Sequence, residues 1–127
     1  MRRPRVRVAL GPPEDQPGDL LIVPGRRDAD VGPSVATIAA PRWKPPSGPE
    51  HRLAEAYRHA VVVANERRAR SLVLPAALVL GSWPMSDVTR VALTVLMSTP
   101  STVREVTIAV QTPAMLEVWA EALAREP

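Results

Sequence analysis

The residues best suited to binding chemistry follow a buried strand predicted at Ser71-Leu72-Val73-Leu74. The chain after it reads Leu80-Gly81-Ser82-Trp83 and then enters a helix predicted to begin near Asp87. A turn that leads into a helix N-terminus attracts anions, and open α/β folds bind their ligands at such strand ends. We therefore expect any small ligand to meet this turn, where Trp83 could stack on a base or ribose, or pack against Trp43.

Arginines form two further candidate anion sites. Arg26, Arg27 and Arg42 follow predicted strands at the ends where a phosphate would arrive, although solvated arginines are the simpler interpretation. Four more arginines stand near the N-terminus and could contact nucleic acid or an acidic membrane: Arg2, Arg3, Arg5 and Arg7. Their alternation with apolar residues also fits a solvated edge strand. We favour that interpretation, so neither nucleic acid nor a membrane is an expected partner.

The residue types of this chain give little support for a metal site or for catalysis. The chain has no cysteine, which excludes disulfides, thiol nucleophiles and cysteine-based metal sites. Its two histidines, His51 and His59, lie eight residues apart on one predicted helix, without the i, i+4 spacing of a helical zinc site. Asp28 and Asp30 could supply a general base, but we interpret them as loop carboxylates that hold a turn. We predict no metal, no cofactor and no enzymatic activity.

The composition predicts a single folded domain over residues 1–127. Hydrophobic residues make up 46% of the 127 positions, which is enough for one core, and the formal net charge is only +3. No run approaches the roughly 20 apolar residues of a membrane span. The N-terminus also lacks the apolar segment of a signal peptide. We therefore expect a cytoplasmic protein.

The candidate residues are positioned by a predicted alternation of strands and helices. Strands are predicted at Arg3–Leu10, Asp19–Val23, Val35–Ala39, Ser71–Leu74 and Val103–Val110, and helices at Glu50–Arg68, Asp87–Met97 and from Pro113 onward. Ser86 and Thr112 are the predicted N-caps of the last two helices, and residues 26–33 are predicted to be a loop or an irregular turn. The alternation from residue 50 onward indicates a three-layer α/β/α sandwich with a mostly parallel mixed sheet.

Several of these segments together resemble the macro domain, an α/β module known for binding ADP-ribose. Ala36 to Trp43 is similar to the HTVGPRW-like strand end of that family, and Leu53 to Ala64 is similar to its LxxCYxxxLxxA helix. Ser71 to Ala77 resembles a strand of the form SIAFPAISTG, while Gly11 and Asp19 match the spacing of the family's first glycine and second aspartate. The matches follow the family order along nearly the whole chain.

The departures from the family pattern fall on the positions that contact the ligand there. Pro12 stands where the resemblance places the acidic residue for the adenine amino group, and Val23 and Arg26 stand where it places two asparagines. Only Arg27 to Ser34 remains where the family has a glycine-rich phosphate loop and its helix, so both are predicted to be missing. A second phosphate loop is replaced by Leu78 to Trp83.

The resemblance therefore implies a divergent, non-catalytic macro-like module with weak or altered binding of ADP-ribose or a related nucleotide. Gln111 stands in place of the aromatic side chain that stacks on adenine in the family. The residues expected at the ligand are Gly25, Arg26, Leu80, Gly81, Ser82, Trp83 and Gln111. Two alternatives stay open: a protein-interaction module that forms a homodimer without a small ligand, and a nucleic-acid-binding module that uses the N-terminal arginines.

Overall fold

The computed structural model describes residues 3–42, 50–79 and 83–126, with the backbone alone at Asp30. Strands and helices alternate along these residues. The strands are β1 (Arg5–Leu10), β2 (Leu20–Gly25), β3 (Ala29–Gly32), β4 (Val35–Ala39), β5 (Ser71–Pro75) and β6 (Glu105–Val110). The helices are α1 (Glu50–Glu66), α2 (Met85–Ser98) and α3 (Pro113–Ala124), and a short 3-10 turn covers Pro13–Asp15.

One six-stranded sheet, in the order β1-β6-β5-β2-β4-β3, forms the centre of the structure. Every neighbouring pair is parallel except β3 and β4, which are antiparallel. The predicted α/β class and the mostly parallel mixed sheet are confirmed. Parallel strands need crossover connections, and α1 and α2 provide two of them by joining β4 to β5 and β5 to β6.

The main hydrophobic core lies between one face of the sheet and all three helices. The parallel register places Leu74 beside Ile108, so both side chains point to the same face. They are buried in one cluster with apolar residues of each helix, including Tyr57, Val88 and Trp119. Burying one large apolar side chain contributes about 1.5–3 kcal/mol, and most of the buried apolar residues lie on this face.

The opposite face of the sheet carries no α-helix among the described residues, and the chain between β1 and β2 covers part of it. This connection passes so close to β5 that a Cβ atom on Gly18 would lie 2.7 Å from Val73 Cγ2. Val73 and Thr107 are buried on β5 and β6, which the 3-10 turn contacts. Leu21 and Val35, farther along the sheet, are only half-buried. On this face the 3-10 turn is the only helical element among the described residues. This agrees with the predicted loss of one helix.

The predicted helices and strands are confirmed, with shifts of a few residues at their ends, but the two capping predictions differ in outcome. Thr112 caps α3, since its Oγ1 accepts a hydrogen bond from the Met115 N–H at 3.2 Å. The prediction that Ser86 caps α2 is wrong. The helix begins at Met85, and Pro84 occupies the N-cap with a φ of −57° and no side-chain hydrogen bond. The ring of proline fixes φ near this value, which suits the start of a helix.

The loop predicted at residues 26–33 is wrong in its second half, because Ala29–Gly32 forms the edge strand β3. This strand is held by backbone pairing with β4 and buries little side-chain surface, and Val31 is 64% exposed. A pattern of apolar residues therefore could not reveal it. Arg67, just after α1, fixes the turn that follows β3, since its guanidinium donates a hydrogen bond to the Gly32 carbonyl at 2.7 Å.

Candidate functional site

The parallel strands end together along one edge of the sheet, which we call the carboxyl edge. Ligands of open α/β sheets bind at such an edge. The structure places three of the predicted site residues there, at the ends of β2 and β6: Gly25, Arg26 and Gln111. Leu80, Gly81 and Ser82 lie outside the described residues, so their place in a site stays a prediction.

Arg26 and Gln111 present exposed polar groups at the carboxyl edge. Each directly follows the last residue of a strand, and each side chain is exposed. Arg42, which follows β4, is exposed as well. A guanidinium at this edge can meet a phosphate, and an amide can meet the polar edge of a base.

Gly25 ends β2 in close contact with β4. A Cβ atom at this position would overlap Thr37 Cγ2, so glycine is what lets the two strands approach here. The Gly25 carbonyl accepts a hydrogen bond from the Ala40 N–H at 3.0 Å, which continues the pairing past the end of β4. Gly25 therefore has a structural role, and its contact with a ligand stays a prediction.

Trp83 is a core residue, contrary to the expectation of an exposed loop aromatic. Its side chain is 8% exposed and lies in the core cluster with the helices, and its Nε1 donor has no acceptor among the described residues. Leu78 and Val79 are buried in the same cluster. The chain after β5 thus turns inward, which sequence pattern could not show. Trp43, the alternative packing partner, lies outside the described residues.

One backbone donor of the chain after β5 is engaged by a buried side chain. The Leu78 N–H donates a hydrogen bond to the Tyr57 hydroxyl at 3.2 Å. Burial raises the pKa of the Tyr57 phenol far above its usual value, and the hydrogen bond from Leu78 opposes this only in part. The phenol therefore stays neutral. A phosphate-binding nest needs several converging N–H groups, and the Leu78 N–H already has a partner.

Replacing Tyr57 by phenylalanine is expected to lower the free energy of unfolding by about 1–3 kcal/mol. The ring packing is kept, but the buried Leu78 N–H loses its acceptor. Urea denaturation followed by circular dichroism measures the change. A loss below about 0.5 kcal/mol would mean that this hydrogen bond does not hold the chain after β5, because surface substitutions have effects of that size.

A carboxylate and an imidazole meet beside the carboxyl edge, which the sequence did not predict. Asp28 Oδ1 accepts a hydrogen bond from the Ala39 N–H at 2.7 Å and lies 3.6 Å from His59 Nδ1. Both residues line a cavity of about 470 Å³ between α1 and the β3–β4 pair. No hydrogen bond within the described residues joins His59 to a hydroxyl nucleophile. Asp28 therefore holds the chain after β2, as interpreted from the sequence; the side chain of Asp30 lies outside the described structure.

Solved macrodomain structures share this arrangement of strands and helices. A Trypanosoma brucei macrodomain in complex with ADP matches with a TM-score of 0.76 and 13% identity, over 94% of this chain and 69% of its own. A mutant Oceanobacillus iheyensis macrodomain with ADPR matches with a TM-score of 0.62 and 20% identity, over 71% of this chain and 50% of its own. The macrodomain of Thermus aquaticus DarG matches with a TM-score of 0.56 and 16% identity, over 85% of this chain and 98% of its own.

The chain has the macrodomain fold. At these identities the likeness concerns the fold, and a fold by itself carries no function. The chain spans about half the length of the Oceanobacillus iheyensis macrodomains that it matches, at 50% coverage. No protein-family model matches the chain, and no curated protein is significantly similar to it in sequence.

The connection between β2 and β4 is only nine residues long, from 26 to 34. Residues 26–34 contain β3 and no helix. The predicted loss of a glycine-rich loop and helix at this place agrees with that observation. In the part of the chain that the structure describes, no three His, Cys, Asp or Glu side chains are grouped as a metal site. No helix there has the length and apolar character to cross a bilayer.

Proposed function

We propose that this chain is a divergent macrodomain-fold module that binds ADP-ribose or a related nucleotide weakly at its carboxyl edge and does not hydrolyse it. The support for a nucleotide ligand is the fold, because macrodomains that share it were solved with ADP and with ADPR. The support for weak binding is the chemistry of the edge where the ligand would lie.

The observation that carries the proposal is the short connection between β2 and β4. A diphosphate is held by several converging backbone N–H groups, supplied by a glycine-rich turn or by a helix N-terminus. Residues 26–34 contain one glycine, Gly32, and four of these nine residues form the strand that pairs with β4. Backbone groups committed to that pairing cannot turn toward a phosphate, so this segment does not replace the loop that the resemblance implies.

The chain after β5 is a poor second phosphate loop for a related reason. The Leu78 N–H is bonded to Tyr57, and the side chains of Leu78 and Val79 fill the core. Losing one charge-assisted hydrogen bond costs about 1.5–3 kcal/mol, or about ten- to a hundredfold in affinity. Two impaired loops therefore put the expected affinity near the millimolar range. Arg26 and Gln111 are the exposed groups that could retain contacts with the ligand.

Calorimetric titration with ADP-ribose tests this function. We expect a Kd of about 1 mM, which corresponds to a binding free energy of about −4.1 kcal/mol. Arg26→Gln should weaken binding about tenfold if its guanidinium holds a phosphate. The matched control is Arg58→Gln, which removes the same charge from an exposed position on α1 and should leave the Kd unchanged.

Two results would contradict the proposal. A Kd in the micromolar range, unaffected by Arg26→Gln, would mean that an intact nucleotide site exists elsewhere on the chain. No heat at millimolar ADP-ribose would remove this ligand and favour the alternative of a protein-interaction module. The predicted homodimer stays a prediction, and so does the absence of catalysis.

A further inference from the structure

A second concave surface lies where the parallel strands begin, at the edge of the sheet opposite the carboxyl edge; we call it the amino edge. The cavity has a volume of about 620 Å³, and its lining includes Arg3, Arg5, Arg104, Ser101, Thr102 and Glu105. The three arginines are exposed. A cleft lined mainly by one sign of charge concentrates ions of the other sign.

Backbone hydrogen bonds place the main chains of three arginines next to one another along the amino edge. Arg5 and Arg104 line the cavity, and Arg70 stands beside it on the next strand. The Arg5 N–H donates to the Arg104 carbonyl at 2.8 Å, and the Arg104 N–H donates to the Arg70 carbonyl at 2.7 Å. We call Arg5, Arg104 and Arg70 the arginine row. They stand at the starts of β1, β6 and β5, which are neighbours in the sheet. Strands lie about 4.8 Å apart, so the backbone of the row spans about 10 Å.

The acidic residues near the arginine row already have other partners. No ion pair joins a member of the row to another described residue. Glu105 Oε1 lies 3.4 Å from Arg7 Nε. Asp19 Oδ2 accepts the backbone N–H of Arg70 at 2.9 Å and that of Ser71 at 3.3 Å. The charges of the row are therefore available to an external anion.

The wall of the cavity is fixed by hydrogen bonds that do not use the arginines. Asn65 Oδ1 accepts the Thr102 N–H at 2.7 Å and the Thr102 hydroxyl at 3.1 Å. Ser101 Oγ accepts the Val103 N–H at 3.1 Å. The segment before β6 is thus tied to α1, and a ligand meets a preformed surface. A preformed surface lowers the entropic cost of binding.

We propose that the arginine row binds the phosphodiester backbone of a single-stranded nucleic acid. Each guanidinium presents a planar fork of donors that matches phosphate oxygens. A row of about 10 Å is longer than one phosphate group and suits consecutive phosphates of one chain. The concave shape suits an inserted chain better than a flat membrane surface. This surface extends the candidate cluster seen in the sequence, because Arg70 and Arg104 join Arg5 only in the folded chain.

Binding at the arginine row does not read the base sequence. No aromatic residue is among the described residues that line the cavity, so bases have no ring to stack on there. Contacts to phosphates fix position and carry no sequence information. The amino edge lies across the sheet from the carboxyl edge. A negative result with nucleic acid would therefore leave the nucleotide proposal intact, and the reverse also holds.

Fluorescence anisotropy with a labelled oligouridylate tests the proposal, using a length of about ten nucleotides, within the range of known site sizes. Neutralising about three phosphates of a single strand predicts a slope of about −2 in a plot of log K against log salt. Binding should therefore weaken about 20-fold between about 50 and 200 mM salt. Arg104→Gln and Arg5→Gln should each weaken binding about eightfold at about 50 mM salt and reduce the slope by about 0.7.

The control variant is Arg58→Gln, which removes an exposed arginine of α1 and should leave both the affinity and the slope unchanged. Polyglutamate, inorganic phosphate and vesicles of anionic phospholipid serve as competing probes. The proposal is overturned if the oligonucleotide does not bind at about 50 mM salt, or if the row variants behave like Arg58→Gln. It is also overturned if vesicles or polyglutamate bind the row more tightly than the oligonucleotide does. Because Arg5 and Arg104 are exposed, their variants should remain folded, and circular dichroism verifies this.

Discussion

Trp83→Ala is expected to lower the free energy of unfolding by about 3–5 kcal/mol, the largest effect of any substitution considered for this chain. Trp83 is 8% exposed and packs in the cluster shared by the sheet and the helices. Truncating it removes a large buried ring and leaves a cavity that the surrounding side chains fill only in part. Urea denaturation should show a lower midpoint with an unchanged slope.

A ligand-stacking role for Trp83 predicts the opposite result. An aromatic side chain that is exposed in a loop and packs only against the bound base can be truncated with little loss of stability and a clear loss of nucleotide affinity. Trp83→Phe keeps most of the buried ring and removes the Nε1 donor, which has no acceptor among the described residues, so its cost should be well below that of alanine. Val62→Ala, at a position 45% exposed on α1, is the control and should change stability by less than about 0.5 kcal/mol. A Trp83→Ala variant as stable as this control would contradict the core role.

Gly25→Ala is expected to lower the free energy of unfolding by about 1–3 kcal/mol. The added methyl group would overlap Thr37 Cγ2 on the neighbouring strand. Thr37 cannot easily move away, because a β-branched side chain has few rotamers. Replacing glycine by alanine at an unstrained position would instead stabilise the protein by about 0.4–1 kcal/mol through the unfolded state. A loss of stability in Gly25→Ala therefore indicates the close contact between Gly25 and Thr37, and a gain in stability contradicts it.

A second substitution separates this overlap from a general effect on β2. Thr37→Ser removes Cγ2 and keeps the hydroxyl, so Gly25→Ala should cost less than about 0.5 kcal/mol when combined with it. Gly32→Ala is the matched control, because a Cβ atom there meets nothing within 4 Å. It should leave stability unchanged or slightly raised. If Gly25→Ala lowers the stability equally in the natural background and in the Thr37→Ser background, the overlap is not the cause of the destabilisation.

Local patterns were sufficient for most of the secondary structure. The helical spacing of Leu53, Tyr57 and Ala64 predicted α1, and the apolar run from Ser71 predicted β5. Thr112 followed by a proline predicted the start of α3. These features depend on residues within a few positions of one another, and the sequence displays them directly. Gly25, Arg26 and Gln111 lie at the ends of strands that were predicted to be parallel. Their placement at one edge of the sheet therefore also follows from the sequence.

The errors occur where contacts between distant segments decide the structure. β3 is a strand because β4 offers it a backbone partner, and its four residues are too few for their alternation to indicate a strand. Pro84, rather than Ser86, occupies the N-cap of α2. Trp83 is buried because the chain after β5 turns toward α1, where Tyr57 accepts the Leu78 N–H. A tryptophan beside glycine and proline has the same local pattern whether its turn faces solvent or the core.

The sequence by itself determined the order of the elements other than β3 and the apolar faces that form the core, and it predicted the loss of phosphate-binding residues in the connection between β2 and β4. Only the tertiary structure decided which distant residues are neighbours. It places Asp28 beside His59, and it aligns Arg5, Arg104 and Arg70 on three adjacent strands. The physical reason is the strand order β1-β6-β5-β2-β4-β3, which long-range backbone pairing sets and short sequence patterns do not encode.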